Sequence, residues 1–552
     1  MLFTAVNIAN SQVASTKYFP SWIEKSVFYQ IYPQSFKDSN GDGIGDLNGI
    51  TQKLDYFGKL GINALWLTPV FESPFMDAGY DVQDFYKIAP RYGTEKDLLK
   101  LIKNAHRRDI KIVLDLVAGH TSDQHEWFRK SQLNTKNEFS DFYIWTDNKS
   151  ILPEKYVTGD YPRNGNFMKN FFDCQPALNF GFARQTNPWE QTIDAAGPKR
   201  VQQELKNIID FWMQKGVDGF RVDMASSLIK NDQNFVETTR FWRTMSQWFR
   251  EKYPEGVLIA EWSNPKQAIH AGFMIDFMMH FNVPGYPSMF FNQGGVFQRD
   301  TCYFDLKGNG SPMEFIANYM EQIKAVGDKG YVSVPTSNHD INRLNSGTRN
   351  TVDQLKVAMT FLLTLKGIPF IYYGEEIGMR FLPGLPDKEG SVLTNYENRN
   401  RAGTRTPMQW SNNPNVGFSI ASPEKMYLPV DDLPNAPSVS SQLSDKNSLF
   451  NFVKNLIHLR QKYPALGNNG TIEFVNTEQT KYPLCYIRTL GIEKMLIVVN
   501  PSGETHSIQI ELGQEVQLNS ILSFNTKTVE KQNFSEIETG SLGYAIYKIG
   551  SN

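Results

Sequence analysis

The stretch TEKDLLKLIKNAHRRDIKIVLDLVAGH, residues 94–120, carries both halves of the unit from which the fold is read. Its first part has the pattern of an amphipathic helix, with Thr94 as N-cap and Glu95 and Asp97 in the first turn. Asp97 stands where a full capping box has Glu or Gln, so only a helix start is read there. The second part, IKIVLDLV (110–117), is a continuous apolar run, as in a strand buried on both faces of a parallel sheet.

The same unit recurs in both directions. Apolar runs stand at VFYQIYPQSF (27–36), NALWLTPV (63–70), DGFRVD (218–223), VLIAEW (257–262), MIDFMMHF (274–281), YVSVPTSNHD (331–340) and PFIYYGEE (369–376). Helical patterns such as VQQELKNIIDFWMQKG and VDQLKVAMTFLLTLKG separate them. Eight strands alternating with helices predict an α/β fold of the (β/α)8 TIM-barrel type. An open doubly wound sheet is the alternative, but its glycine fingerprint after the first strand is missing.

After Val117 comes a connection of roughly 80 residues, too long for a plain loop inside a compact domain. An inserted subdomain is therefore expected over 118–185, leaving from the C-terminal end of the third strand. The barrel takes 20–117 and 186–467, and the helix NSLFNFVKNLIHLRQKYPALG (447–467) closes it. Short alternating strands such as PLCYIRTL and KMLIVVN then predict a C-terminal antiparallel β-sandwich over 468–552.

The 552 residues alone would suggest three or four ordinary domains. With 56 Lys plus Arg against 58 Asp plus Glu, the formal charge is −2, which leaves no electrostatic footprint for nucleic acid or an anionic membrane. Cys174, Cys302 and Cys485 are too far apart to suggest a disulfide framework or a zinc pair. No apolar run approaches the ~20 residues that span a bilayer. The opening MLFTAVNIANSQVAS lacks a basic leader and is broken by Asn7 and Asn10. It reads equally as the stub of a signal peptide or as a frayed terminus, so localisation stays open between cytoplasmic and periplasmic or secreted. Oligomeric state is unassigned, and no organic cofactor is expected.

In a barrel, chemistry sits at the C-terminal ends of the strands. Here those ends carry Asp115 and His120, Arg221 and Asp223, Glu261, and His339 with Asp340. Any one acid alone reads as a solvated loop carboxylate. Converging at one mouth, they supply what glycosidic cleavage needs: one carboxylic acid to protonate the leaving oxygen and one carboxylate to attack or to activate water. Arg221, two residues before Asp223 on a strand, points to the same side and is expected to hold Asp223 ionised. Glu261, beside Trp262, is the candidate for a raised pKa.

These residues resemble the α-amylase-type glycoside hydrolases, family thirteen, from about Val27 to Tyr463. The matching segments are DLVAGH (115–120), QPALN (175–179), GFRVD (219–223), EWSN (261–264) and SNHD (337–340). DAGYD (77–81), FYQIYPQSF and TRTPMQW (404–410) resemble the α-glucosidase and oligo-1,6-glucosidase branch. The resemblance implies a retaining double displacement with Asp223 as nucleophile, Glu261 as general acid/base and Asp340 as a third acid gripping sugar hydroxyls. It also implies that His120 and His339 bind hydroxyls in the −1 subsite, that Arg221 orients the nucleophile and that Tyr80 stacks on the ring. Asp77 and Arg405 would close the pocket around a non-reducing glucose, with Arg401 as the alternative to Arg405.

The segment DSNGDGIGD (38–46) places oxygen donors at alternate positions of a glycine-rich turn: Asp38, Asn40, Asp42, the Ile44 carbonyl and Asp46. That pattern suits a hard cation such as Ca²⁺, although Gly49 stands where an EF-hand needs Glu. Related glucosidases carry a similar loop, which implies a structural Ca²⁺ remote from catalysis.

Three positions depart from the family pattern. Gly119 replaces the usual Asn before His120, which puts in doubt a second Ca²⁺ at the insertion. Ala177 replaces Asp in QPALN, and Met224-Ala225-Ser226-Ser227 replaces the residues that shape the +1 subsite. The expected activity is exo-acting release of glucose from short α-glucosides, the partner being an oligosaccharide or disaccharide. The alternative is a glucosyl-transferring enzyme or isomerase of the trehalose synthase or isomaltulose synthase type. A transporter-associated heavy chain or a binding scaffold would not need the three acids.

Overall fold

The computed structural model describes residues 19–279, 285–291, 302–394, 399–511, 516–530 and 534–551. The opening segment at residues 1–15 and the end of the MIDFMMHF run lie outside them. Eight parallel strands form the barrel: β1 Phe28–Ile31, β2 Ala64–Leu67, β3 Lys111–Val117, β4 Gly219–Asp223, β5 Val257–Ala260, β6 Ile275–Phe277, β7 Tyr331–Ser333 and β8 Phe370–Tyr372. Their order is β7-β6-β5-β4-β3-β2-β1-β8, so chain neighbours are sheet neighbours and β8 returns to β1. Register runs through Tyr29↔Leu65, Leu65↔Ile112, Leu114↔Phe220 and Phe220↔Leu258. Between β7 and β8 the seam is closed by Ile368 N–H to the Val332 carbonyl at 3.3 Å and Thr336 N–H to the Phe370 carbonyl at 3.1 Å. Gly367 permits that approach: at φ +118° it tolerates a conformation other residues avoid, and a Cβ there would lie 1.9 Å from the Val332 oxygen.

Side chains alternate across the strands. Phe28, Ala64, Trp66, Val113, Val257, Ile259, Ile275 and Phe370 form one buried cluster that fills the barrel. Tyr29, Leu65, Ile112, Leu114, Phe220 and Leu258 belong to the outer cluster beneath the helices. Those helices are α1 Leu47–Gln52, α2 Leu54–Leu60, α3 Glu95–His106, α4 Ala196–Gln214, α5 Val236–Lys252, α6 Pro265–His270, α7 Met313–Val326, α8 Val352–Thr364 and α9 Leu449–Lys462. At the start of α3, Asp97 Oδ2 accepts from Thr94 N–H at 2.9 Å and from Thr94 Oγ1 at 2.7 Å. The shorter acid thus does what Glu would do in a capping box.

The segment after β3 packs around Phe128, Tyr143, Trp145 and Phe167, with a small ladder between Tyr156–Val157 and Phe167–Met168. It returns to the barrel by pairing: Leu178 N–H donates to the Gly119 carbonyl at 3.0 Å, and Ala177 stands opposite His120.

The C-terminal β domain comprises β9 Thr471–Phe474, β10 Leu484–Leu490, β11 Glu493–Val499, β12 His506–Ile510, β13 Val516–Glu530 and β14 Ser535–Ser551, in one antiparallel network. β14 joins its halves, pairing with β12 over 535–539 and with β11 over 544–549, while β13 follows its other edge. At the junction with the barrel, two buried guanidiniums accompany an apolar seam in which Phe361 meets Tyr486 and Phe452 meets Tyr544. Arg460 Nη1 donates to the carbonyls of Leu363 (2.9 Å) and Leu365 (2.8 Å), and Arg488 Nη2 to that of Gly467 (2.6 Å). Leu363 and Leu365 lie at the C-terminal end of α8, where carbonyls lack helical partners.

Candidate active site

The inward positions of β3, β4 and β5 include Val113, Gly219, Val257 and Ile259, and every second residue beyond them keeps that side. Continuing the parity gives Asp115, Arg221, Asp223 and Glu261 at the mouth of the barrel. There they meet the loop after β7, which carries His339 and Asp340. A cavity of about 400 Å³ opens at this point, lined by Asp77, Tyr80, His120, Asp223, Glu261, His339, Asp340 and Arg401 among others. That volume lies in the range of small-molecule sites.

Arg221 is the hub beneath it. Its Nη1 lies 2.8 Å from Asp115 Oδ1 and 3.0 Å from Asp223 Oδ1, and its Nη2 lies 2.9 Å from Glu261 Oε1. Asp115 is fully buried and also accepts from Trp66 Nε1 at 3.1 Å and the Tyr80 hydroxyl at 3.0 Å. Glu261 Oε2 accepts the Met224 N–H at 2.9 Å, a bond made possible by the left-handed backbone of Met224 (φ 42°).

Electrostatics here differ from the simplest reading of the sequence. Burial, then the Glu261 carboxylate, push Asp223 well above the usual range, and Arg221 only partly opposes them. Arg221 alone therefore does not hold Asp223 ionised. Three carboxylates, Asp115, Asp223 and Glu261, divide the charge of this one guanidinium. Asp115 itself is pushed up to about 6 by burial against the pull of Arg221.

Asp340 has the opposite environment. Burial raises it, but His339, Arg401 and Arg405 overcome that and hold its carboxyl well below the usual range. Arg401 Nη1 contacts Asp340 Oδ1 at 2.7 Å and Arg405 Nη2 contacts the same oxygen at 3.2 Å. Arg401 Nη2 reaches Asp77 Oδ1 at 3.0 Å, and Gln175 Nε2 donates to Asp77 Oδ2 at 2.9 Å. The partner of Asp77 is therefore Arg401, the alternative in the sequence reading. Arg405 is brought to Asp340 and to the His339 carbonyl (2.8 Å), behind the cavity wall.

Both histidines are buried and pushed down to about 3 by that burial, so they stay neutral. The Gln30 amide lies 2.8 Å from His339 Nδ1, leaving Nε2–H to face Tyr80 Oη at 2.8 Å and Asp340 Oδ2 at 3.2 Å. The His339–Asp340 contact is thus a hydrogen bond to a neutral ring. Tyr80 stacks on His339, centroids 5.3 Å apart at 8°. Sequence reasoning missed Trp66 and Asn170, which lie in none of the quoted motifs; Gln30, within FYQIYPQSF, and Gln175, within QPALN, were quoted but given no role.

The 38–46 loop lies apart from these residues and is held by its own hydrogen bonds. Asp38 accepts the N–H groups of Asn40, Gly41 and Gly43 at 2.7–2.9 Å, and Asp46 accepts Ser39 N–H at 2.7 Å and Gly49 N–H at 2.8 Å. Among the described residues, no three His, Cys, Asp or Glu side chains gather into a metal cluster. The donors are nevertheless all oxygen, and the buried Asp38 and Asp46 make no ion pair with a described Lys or Arg. Their chemistry fits a hard cation once these oxygens turn from loop N–H groups to the ion.

Comparisons with known proteins give the family. The family profile described as "Alpha amylase, catalytic domain" matches residues 30–469. The chain is 30% identical to the oligo-1,6-glucosidase of Parageobacillus thermoglucosidasius, over 96% of this chain and 99% of that one. It is 32% identical to the trehalose synthase/amylase of Mycolicibacterium smegmatis, over 81% and 77%. Among solved structures it is similar to a variant of isomaltulose synthase from Erwinia rhapontici in complex with its natural substrate sucrose. That match has a TM-score of 0.79 and 28% identity, covering 96% of this chain and 99% of that one. The barrel, the acids at its mouth and these matches lead to one assignment: the chain belongs to the α-amylase family, glycoside hydrolase family thirteen.

Proposed function

We propose that the protein is a retaining, exo-acting α-glucosidase that releases glucose from the non-reducing end of short α-glucosides. The observation that carries this reading is the bridge Asp77–Arg401–Asp340 in the cavity lining, whose charge-assisted contacts suit a closed pocket end. A groove for internal bonds of a long glucan would need that end open.

In this reading the Asp223 carboxylate attacks the anomeric carbon while Glu261, entering as the carboxylic acid, gives its proton to the departing oxygen. The glucosyl group is then an ester on Asp223, and the Glu261 carboxylate takes a proton from water, which attacks the same carbon from the other face. Asp340, kept ionised by Arg401 and Arg405, accepts from sugar hydroxyls and favours the flattened, oxocarbenium-like ring. A product time course on maltose, isomaltose, sucrose, trehalose, kojibiose and nigerose tests the reading, with anomeric analysis of the first product. An inverted first product, or release of internal fragments from long glucans, would overturn it.

A second reading is supported by the likeness to the trehalose synthase/amylase and to isomaltulose synthase. In it, the sugar leaving group rather than water meets the glucosyl ester. The same time course separates the two, because isomerisation yields a new disaccharide of unchanged mass before glucose accumulates.

We further propose that Asp38, Asn40, Asp42, the Ile44 carbonyl and Asp46 hold a structural Ca²⁺. The ion would tie the β1–α1 connection to its own charges and take no part in the reaction.

A further inference from the structure

The cavity wall carries an amide that no motif singled out. Asn170 comes from the inserted segment and lines the cavity beside His120. Its Nδ2 lies 3.1 Å from His120 Nδ1, and its Oδ1 accepts from Lys230 Nζ at 2.9 Å. Lys230 also donates to the Ser227 carbonyl, just past the nucleophile strand.

The chemistry of these groups leaves one arrangement. A protonated lysine has donors and no acceptor, so it fixes which end of the Asn170 amide is which: oxygen toward Lys230, NH2 toward the imidazole. An imidazole nitrogen that receives an N–H carries no proton. The proton of the neutral ring is therefore on Nε2, which donates to the Tyr80 carbonyl at 3.1 Å. Burial draws the Lys230 ammonium down to about 7, so the charged relay is complete on the acid side of that value.

Gly119 leaves room for the relay. A Cβ at that position would lie 3.1 Å from Asn170 Nδ2 and 3.2 Å from Ser227 Oγ, tighter than such contacts normally are. The sequence departure before His120 thus coincides with an amide supplied from the inserted segment instead.

We propose that Lys230 and Asn170 are positioning residues for His120. The lysine orients the amide, and the amide fixes the imidazole tautomer, with Nε2–H on the Tyr80 carbonyl; the ring so held lines the cavity that the −1 glucose would occupy. The sugar in this statement rests on the α-glucosidase reading; the relay itself does not.

The test uses the full-length protein labelled with ¹⁵N-histidine at about pH 6, below the Lys230 value. The His120 signals are identified by their loss in His120→Gln. The native ring should show a protonated Nε2 and a bare Nδ1. Asn170→Asp offers only acceptors, so it should put a proton on Nδ1. In kinetics, Asn170→Leu and Lys230→Met should raise KM about tenfold with a smaller change in kcat, the loss of one charge-assisted hydrogen bond. Lys230→Arg, which keeps a donor-only head, should stay near native KM. A bare Nδ1 in Asn170→Asp, or equal losses in Lys230→Arg and Lys230→Met, would overturn the relay even with hydrolysis intact. If the native protein turned over no α-glucoside, the functional reading would fall while the ¹⁵N result still decided the relay.

Discussion

Asp223 and Glu261 share one guanidinium, and in the proposed mechanism one attacks while the other gives up a proton. Removing either carboxylate should therefore cost more than binding. Asp223→Asn and Glu261→Gln are each expected to lower kcat/KM by at least about 10³-fold with the melting temperature nearly unchanged. Near-native turnover in either variant would end the assignment. Arg401 acts differently, because it grips the pocket end rather than the reacting bond. Arg401→Ala should raise KM for disaccharides by roughly 10- to 100-fold, as expected for losing buried charge-assisted contacts. An unchanged KM would mean that Asp77 and Asp340 define the pocket end without it. The sequence identified Arg221 with Asp223 because i and i+2 on a strand share a side. It preferred Arg405 to Arg401 as the partner of Asp77, and the structure reverses the order, since the connection that holds both has no period to orient them.

The elements that carry these residues are short strands whose geometry depends on close backbone approach. Gly367 lets β8 come against Val332, and Gly367→Ala should destabilise the protein by about 3 kcal/mol or more, since both the φ and the space are wrong for a side chain. A chemical-denaturation midpoint within error of the native one would refute the close-approach argument. The 38–46 loop makes the second test at this scale. If it binds Ca²⁺, chelation should lower the melting temperature and added Ca²⁺ should restore it, through the stabilisation any native-state ligand confers. Identical melting curves with and without chelator would remove the ion from the account. Helix positions were legible from period and caps alone, and Asp97 shows the rule can be stated too narrowly. The strands proved shorter than their apolar runs, because those runs continue into buried loops that the period does not distinguish from strand.

The whole molecule buries several carboxyl groups, and their shifts give its stability a sign with pH. Burial pushes Asp81 up to about 6 and Asp276 and Glu376 to about 7. An acid whose folded pKa exceeds its unfolded value of about 4 binds its proton more tightly when folded. Its contribution is full below about pH 4 and is lost as pH rises through the folded values. Asp340 has the opposite sign, its contribution being lost only on acidification below about pH 4. The buried His120 and His339 act oppositely up to about pH 6.5, so the acids are tested by difference: from about pH 5 to about pH 8 the melting temperature of Glu376→Gln should rise relative to that of the native protein, and a constant gap would contradict the raised value. The formal charge of −2 adds no strong self-repulsion to blur that trend.

From sequence alone, the repeated apolar run and amphipathic helix determined the barrel, because side-chain period is a local property that each element displays by itself. The acids at strand ends were determined the same way, by counting along single strands. Only the tertiary structure decided that Arg401 faces Asp77, that Asp223 and Glu261 share the Arg221 guanidinium, and that Asn170 stands beside His120. Those relations join residues up to 324 positions apart, and burial and pairing at such range exist only once the barrel has closed.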